Sequence, residues 1–194
     1  MIIIAGPSRA GKSTVIDRMR SGKKTRLCGQ LGMIDPPSWH YSTVNRLKGT
    51  PATTIDRLVL HYDLYANFSR RKNFSNLDAL IFSAANTTAL TLCTTAETLC
   101  ERNALNIKRF ANLLLLKKNP LKKTIAKIQL RMRKQRSYRD GASVQSLYTE
   151  WVDYISGHDL ASHWLLDCNS DSADAIARAY DAASLEVLIG GTRA

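Results

Sequence analysis

The sequence predicts a three-layer α/β/α fold around a parallel sheet of about five strands. Three observations support this prediction. Short apolar runs alternate with stretches of helical period, a glycine-rich turn joins the first run to the first helix, and no internal repeat or low-complexity linker interrupts the pattern. The 194 residues, of which 44% are hydrophobic, suffice for one sizeable core and are few for two. We therefore expect a single domain over residues 1–194.

Three strands are predicted in the first half of the chain. The apolar run from Met1 to Ala5 leads into the glycine-rich turn, and a helix follows from Lys12 to about Arg20. Prolines and glycines break residues 21–56 into loop with one short strand or helix. The remaining elements of this half are a strand from Leu58 to Tyr62 that ends at Asp63, a helix near Asn76 to Ala85, and a strand from Thr88 to Cys93.

The second half is mainly helical. Thr94 is expected to open a helix, with Glu97 in the capping-box position. Pro120 suits the first turn of the next helix, whose apolar residues have the spacing of one face: Leu121, Ile125, Ile128 and Met132. The elements after Gly141 are an amphipathic helix that reaches Gly157, a strand from His163 to Cys168, and a last helix capped by Ser170 or Asp171 that runs to about Leu188.

Charge and hydropathy limit the compartment and the partners. No basic segment precedes the first apolar run, and no apolar block approaches the roughly 20 residues of a bilayer span. Since the four cysteines form no C-x-x-C pair, we expect reduced thiols in a soluble, cytoplasmic protein without a membrane partner. The net charge is +12, and every charged residue from Arg102 to Arg139 is a lysine or arginine. Such a block favours a polyanionic partner over a merely solvated helix face.

One motif carries chemistry. The segment Gly6-Pro7-Ser8-Arg9-Ala10-Gly11-Lys12-Ser13-Thr14 satisfies G-x-x-x-x-G-K-[ST], the Walker A or P-loop pattern, and lies between a predicted strand and a predicted helix. Glycines let the backbone N–H groups curl around phosphate oxygens, and the helix dipole points at the same place. We expect Lys12, exposed in the empty cleft, to reach the β- and γ-phosphates of ATP and Ser13 to bind Mg²⁺. The phosphate-binding residues are Gly6, Ser8, Arg9, Ala10, Gly11, Lys12, Ser13 and Thr14.

The P-loop, the small size and the late basic helices resemble the nucleoside and nucleotide kinases. The segment from Leu90 to Arg102 is similar to their strand and helix that end in an arginine. No N-K-x-D or D-x-x-G motif of Ras-like GTPases is present. The resemblance implies an ATP-dependent kinase, with a basic helical lid over about 116–140. The chain lacks the zinc or glycine-rich lid of adenylate kinases and the acidic base-reading pattern of guanylate kinases, which leaves the acceptor open.

The resemblance also implies further site residues. Asp63, at the end of its strand, would hold Mg²⁺ or accept the proton of the acceptor hydroxyl, and Asp35 is the second candidate for that role. The catalytic arginines of the lid would be Arg131, Arg133 and Arg136. Trp39 lies where such kinases recognise the acceptor and could stack on a base.

The basic block favours an acceptor inside a nucleic acid, with Lys122, Lys123 and Lys127 on its backbone. Charge, size and P-loop together also resemble phage kinases that phosphorylate 5-hydroxymethyluracil in DNA. Two alternatives stay open, a kinase of free nucleosides or nucleoside monophosphates and a nucleotide-dependent nucleic-acid-binding module. Neither the donor, ATP or GTP, nor the oligomeric state follows from the sequence.

Overall fold

A computed structural model describes residues 1–21, 32–34, 58–71, 73–115, 119–135, 141–160 and 162–169. Its strands are β1 (Ile2–Gly6), β2 (Gly32–Ile34), β3 (Leu58–Asp63), β4 (Thr88–Cys93) and β5 (Ser162–Asp167). Its helices are α1 (Lys12–Ser21), α2 (Leu64–Arg71), α3 (Asp78–Ser83), α4 (Ala96–Leu115), α5 (Pro120–Gln135) and α6 (Gly141–Ser156), and a short 3-10 turn (Ser75–Leu77) precedes α3. The α/β fold class predicted from the sequence is confirmed.

The five strands form one parallel sheet in the order β2-β3-β1-β4-β5. After β1 the chain builds one side of the sheet with β2 and β3, and then returns to the other side of β1 with β4 and β5. The strand order therefore reverses at the carboxyl end of β1. In open α/β sheets a ligand binds in the crevice at such a switch point, so the topology places the glycine-rich turn at the expected ligand site.

The chain divides into two compact units, Met1–Cys93 with Leu147–Ala194, and Thr94–Ser146. The first unit contains the whole sheet. One face of the sheet packs on α3, α6 and the 3-10 turn, with Tyr62, Phe74 and Trp151 fully buried in the centre. The ring centroids of Tyr62 and Trp151 lie 5.5 Å apart, and those of Phe74 and Trp151 lie 5.1 Å apart. Through Tyr62, which precedes Asp63 in the sequence, this aromatic cluster packs against the carboxyl end of β3.

The second unit contains α4 and α5, which pack against each other. The predicted start of α4 was one residue early. The helix is capped by Thr95, whose hydroxyl accepts a hydrogen bond from the Thr98 N–H at 3.3 Å, so Thr94 and Glu97 form no capping box. Pro120 does occupy the first turn of α5, after an Asn119 side chain that accepts from the Lys122 N–H at 3.1 Å.

The apolar residues of α5 have the predicted spacing, but the face they mark is not the buried one. Ile125 and Ile128 are 48% and 56% exposed, whereas Ala126 between them is 1% exposed. The small side chain permits close packing, and the two isoleucines stay on the outside. No helix in the described part of the chain is long and apolar enough to cross a membrane. The predicted helix after Ser170 lies outside the described residues.

Candidate active site

The turn between β1 and α1 has the backbone that the motif requires. The Ala10 N–H donates to the Pro7 carbonyl at 3.1 Å, and the Val15 N–H closes the first helical turn on the Gly11 carbonyl at 3.0 Å. Gly11 has a φ of 103° and Arg9 a φ of 82°, both in the left-handed region. A glycine accepts this conformation freely, but an arginine there is uncommon and marks a constrained loop. The turn is therefore a constrained loop that leads into the amino end of α1.

Gly6 is required both for its backbone, whose φ of 158° is one that residues with a side chain rarely adopt, and for space. A Cβ at this position would lie 3.0 Å from the Ala10 Cβ and 3.1 Å from the Leu92 carbonyl oxygen of β4. The turn therefore passes so close to the neighbouring strand that no side chain fits.

Lys12 turns back into the loop that carries it. Its Nζ donates to the Gly6 and Pro7 carbonyls, each at 2.7 Å, and lies 3.6 Å from Asp63 Oδ2. The side chain is only 3% exposed, which corrects the expectation that it is exposed in the empty cleft. The carbonyls and the carboxylate offset the cost of burying the ammonium group. The lysine must leave these carbonyls to reach a phosphate.

Asp63 occupies the carboxyl end of β3, in register with Gly6 of β1. One carboxylate oxygen has a structural task, since Oδ1 accepts a hydrogen bond from the Ala66 N–H at 2.8 Å and so caps α2. Among the described residues the other oxygen, Oδ2, accepts no hydrogen bond, although it is buried and faces Lys12. A buried carboxylate oxygen in this state is suited to a metal-bound water or a hydroxyl group.

A chain of buried side chains supports Asp63 from behind. The Tyr62 hydroxyl donates to Asn76 Oδ1 at 2.5 Å, Asn76 Nδ2 donates to Asn67 Oδ1 at 3.0 Å, and Asn67 Nδ2 donates to the Asp63 carbonyl at 2.7 Å. Burial raises the pKa of Tyr62 well above its usual value, so its hydroxyl stays a donor. The role of these amides does not follow from the sequence, because no local pattern marks them.

A scan against protein-family models and a search of the curated proteins gave no match. Among solved structures, the chain is similar to an unliganded sugar kinase from Janibacter sp. HTCC2649. The sequence identity is 11%, the match covers 92% of this chain and 90% of that chain, and the TM-score is 0.44. This similarity is too low to support an argument about function, so the function is inferred from the site itself.

The other predicted phosphate-binding residues surround Lys12 in different degrees of exposure. Ser8 and Ala10 are buried, Arg9 is half-buried, and Ser13 and Thr14 are exposed on the first turn of α1. Among the described residues no group of three or more His, Cys, Asp and Glu could hold a metal ion. Ser13 and Asp63 nevertheless fit Mg²⁺, since this ion is commonly held by one or two protein groups, waters and substrate phosphates.

The remaining predicted residues are not brought to the site by the described structure. Asp35, Trp39 and Arg136 lie outside the described residues. Arg131 and Arg133 belong to α5, but their side chains lie outside the description. Lys122, Lys123 and Lys127 are exposed on α5 in the second unit. Their predicted roles stay predictions.

Proposed function

We propose that this chain is an ATP- and Mg²⁺-dependent kinase that transfers the γ-phosphoryl group to a hydroxyl of a nucleotide-type acceptor. The observation that carries the proposal is the pairing of Lys12 with Asp63 at the end of the glycine-rich turn. The two charged groups are 3.6 Å apart, both are buried, and Asp63 Oδ2 accepts no hydrogen bond among the described residues. A cation that can bind phosphate and a carboxylate that can bind a metal ion or a hydroxyl group thus lie together at the switch point of the sheet.

Each group has a role that follows from its chemistry. The N–H groups at the start of α1 have no carbonyl partner within the helix and can bind phosphate oxygens. Lys12 would exchange its bonds to the Gly6 and Pro7 carbonyls for the β- and γ-phosphates. Mg²⁺, held by the Ser13 hydroxyl and through water by Asp63, would neutralise charge on the phosphates.

The transfer itself forms one bond and breaks one. The acceptor oxygen bonds to the γ-phosphorus, while the bond from that phosphorus to the β,γ-bridging oxygen breaks and ADP leaves. The hydroxyl proton passes to Asp63 Oδ2 or to solvent. Asp63→Asn should therefore reduce turnover more than ATP affinity.

Exposed charge favours an acceptor within a nucleic acid, either at a DNA end or on a modified base such as 5-hydroxymethyluracil. Lys108, Arg109, Lys122, Lys123 and Lys127 are all exposed in the second unit. In a segment without acidic residues the positive charges repel one another, and the many phosphates of a polynucleotide would offset this repulsion. A free nucleotide needs only a few cations for its phosphates. Arg131, Arg133 and Arg136 are the proposed source of charge stabilisation at the transferred phosphoryl group. A base in a duplex would have to be flipped out to react.

A phosphate-transfer panel tests the proposal. The protein is incubated with γ-labelled ATP and Mg²⁺, and with nucleosides, nucleoside monophosphates, DNA ends or DNA that contains hydroxymethylated bases. Labelled DNA supports the proposed acceptor, and labelled free nucleotide supports the alternative kinase of nucleosides or nucleoside monophosphates. Lys12→Met is the negative control, because removal of a group that stabilises transition-state charge should lower turnover roughly a hundredfold or more. ATP binding without transfer to any acceptor would instead favour a nucleotide-dependent binding module.

A further inference from the structure

Three buried side chains form a closed path behind the proposed catalytic carboxylate. The path begins at the Tyr62 hydroxyl, passes through Asn76 and Asn67, and ends on the carbonyl of Asp63, the residue that follows Tyr62 in β3. Tyr62, Asn67 and Asn76 are all buried, so water does not compete for these hydrogen bonds. The path therefore ties the first turn of α2 and the 3-10 turn to the end of β3.

This path restricts what the Asp63 carboxylate can do. Asn67 holds the Asp63 backbone carbonyl at 2.7 Å, while the Ala66 N–H holds Oδ1 at 2.8 Å. Two points of Asp63 are thus fixed by neighbouring residues of the same helical turn. The oxygen that remains, Oδ2, is directed at Lys12.

The amides suit this task because each one donates and accepts. Asn67 uses its N–H₂ group for Asp63 and its oxygen for Asn76, and Asn76 uses its N–H₂ group for Asn67 and its oxygen for Tyr62. A leucine at either position, with the same branching but no polar atoms, would interrupt the path and leave buried polar atoms without partners. The aromatic packing of Tyr62 on Trp151 fixes the far end of the path in the core.

We propose that Asn67 and Asn76 are positioning residues that hold the Asp63 carboxylate toward Lys12 and toward the Mg²⁺ of bound Mg·ATP. The part that concerns Mg·ATP rests on the proposed function. The part that concerns Lys12 does not, because the structure itself places Lys12 Nζ 3.6 Å from Asp63 Oδ2.

The first experiment needs no activity. Urea unfolding midpoints are measured for Asn67→Leu, for Lys12→Met and for the double variant. If Asn67 holds Asp63 against Lys12, loss of the lysine costs less once Asn67 is gone, and the shift of the double variant is smaller than the sum of the single shifts. Additive shifts would overturn the positioning role.

The second experiment measures affinity for mant-ATP with Mg²⁺ and with EDTA. Loss of a residue that orients a metal ligand typically costs about 10–100-fold in metal affinity. The increase in mant-ATP affinity on replacing EDTA by Mg²⁺ should therefore be smaller for Asn67→Leu than for the wild type, by a factor of that order. Its affinity in EDTA should match that of the wild type, because the phosphates still meet the loop around Gly6 and Gly11. An unchanged Mg²⁺-dependent gain would overturn the proposal.

Tyr154→Phe is the matched control for stability. This change removes a partly buried hydrogen bond of 2.7 Å from the Tyr154 hydroxyl to Asp78, which does not belong to the path. It should lower the unfolding midpoint without changing the Mg²⁺-dependent gain. If Asn67→Leu does not fold, Tyr62→Phe takes its place in both experiments, since the ring is kept and only the far hydroxyl is lost. A wild-type protein that binds no mant-ATP would refute the proposed function, and the urea cycle alone would then decide the positioning of Asp63.

Discussion

At the level of single residues, the buried contact between Lys12 and Asp63 links the stability of the fold to the proposed function. Breaking a buried ion pair by removing one partner typically costs about 3–5 kcal/mol, because the other charge stays buried alone. Lys12→Met should therefore destabilise the fold by an amount of that order, as measured by urea unfolding. This result would correct the simple expectation that the lysine of an open loop can be removed without structural cost.

The same pair offers its own control. Asparagine at position 63 keeps an oxygen that can cap α2 at the Ala66 N–H, but it carries no charge. Lys12→Met combined with Asp63→Asn should therefore recover most of the lost stability. A double variant as unstable as Lys12→Met would show that the lysine contributes through its carbonyl bonds and not through Asp63.

His163 provides a second prediction at this level, which concerns pH. Trp151 Nε1 donates to Thr91 Oγ1 at 2.7 Å, so the Thr91 hydroxyl can donate in turn to His163 Nε2, 3.0 Å away. Burial lowers the pKa of His163 from its usual value of 6.5, and this contact also suits the neutral ring. The unfolded chain thus binds the proton more readily, and the folded protein loses stability as pH falls below about 6.5.

His163→Gln should reduce this loss, because glutamine can accept from Thr91 and does not titrate. The urea midpoints of both proteins are compared at pH 7.5 and pH 5. The urea midpoint of His163→Gln, relative to that of the wild type, should be higher at pH 5 than at pH 7.5. An equal difference at both values would contradict the assignment of this acid sensitivity to His163.

At the level of elements, the sequence predicts what local patterns determine. The strand Thr88–Cys93 and the start of α5 at Pro120 were predicted at the observed residues, because apolar runs and a first-turn proline are local signals. The exposed isoleucines of α5 were not anticipated as such, because which face of a helix is buried depends on its neighbours. The same limit applies to the site. The motif marks Lys12 and the strand end marks Asp63, but the pairing of amides behind them depends on the tertiary fold.

The glycine-rich turn permits a test of two separate requirements. Gly6→Ala would place a methyl group 3.1 Å from the Leu92 carbonyl, which the Tyr148 hydroxyl already holds at 2.8 Å. Overpacking of this kind typically costs about 1–3 kcal/mol, and the φ of 158° at Gly6 adds backbone strain. In Gly11→Ala the new Cβ meets no atom within 4 Å. This variant should be destabilised only by its left-handed backbone, by about 1–2 kcal/mol.

A second substitution separates the cost of the close contacts from the cost of the backbone conformation. Ala10→Gly in the Gly6→Ala background removes one of the two close contacts and should restore part of its stability, whereas the same change should not rescue Gly11→Ala. Urea unfolding of the four variants measures both effects. A full rescue of Gly6→Ala would show that neither the Leu92 carbonyl nor the φ of 158° at position 6 opposes a side chain, against the geometry described above.

At the level of the whole molecule, the two units divide the proposed tasks. The first unit contains the sheet, the glycine-rich turn and Asp63, which are the groups that we propose for ATP. The second unit contains the whole basic segment from Arg102 to Arg139. This division means that nucleotide affinity and nucleic-acid affinity should respond to different substitutions.

The exposed lysines of α5 allow that division to be tested with nucleic acid. Binding to duplex DNA releases counterions, and log affinity falls with log salt concentration with a slope of about −0.9 per neutralised phosphate. Replacement of Lys122, Lys123 and Lys127 by glutamine should flatten this slope by up to about three units if each lysine contacts a phosphate. Replacement of the same three residues by arginine keeps the charge and should leave the slope unchanged. Fluorescence anisotropy with labelled DNA over a range of salt measures the slope, and mant-ATP affinity should be equal in all three proteins. An unchanged slope in the glutamine variant, or no micromolar DNA binding near physiological salt, would favour a free nucleoside or nucleotide as the acceptor.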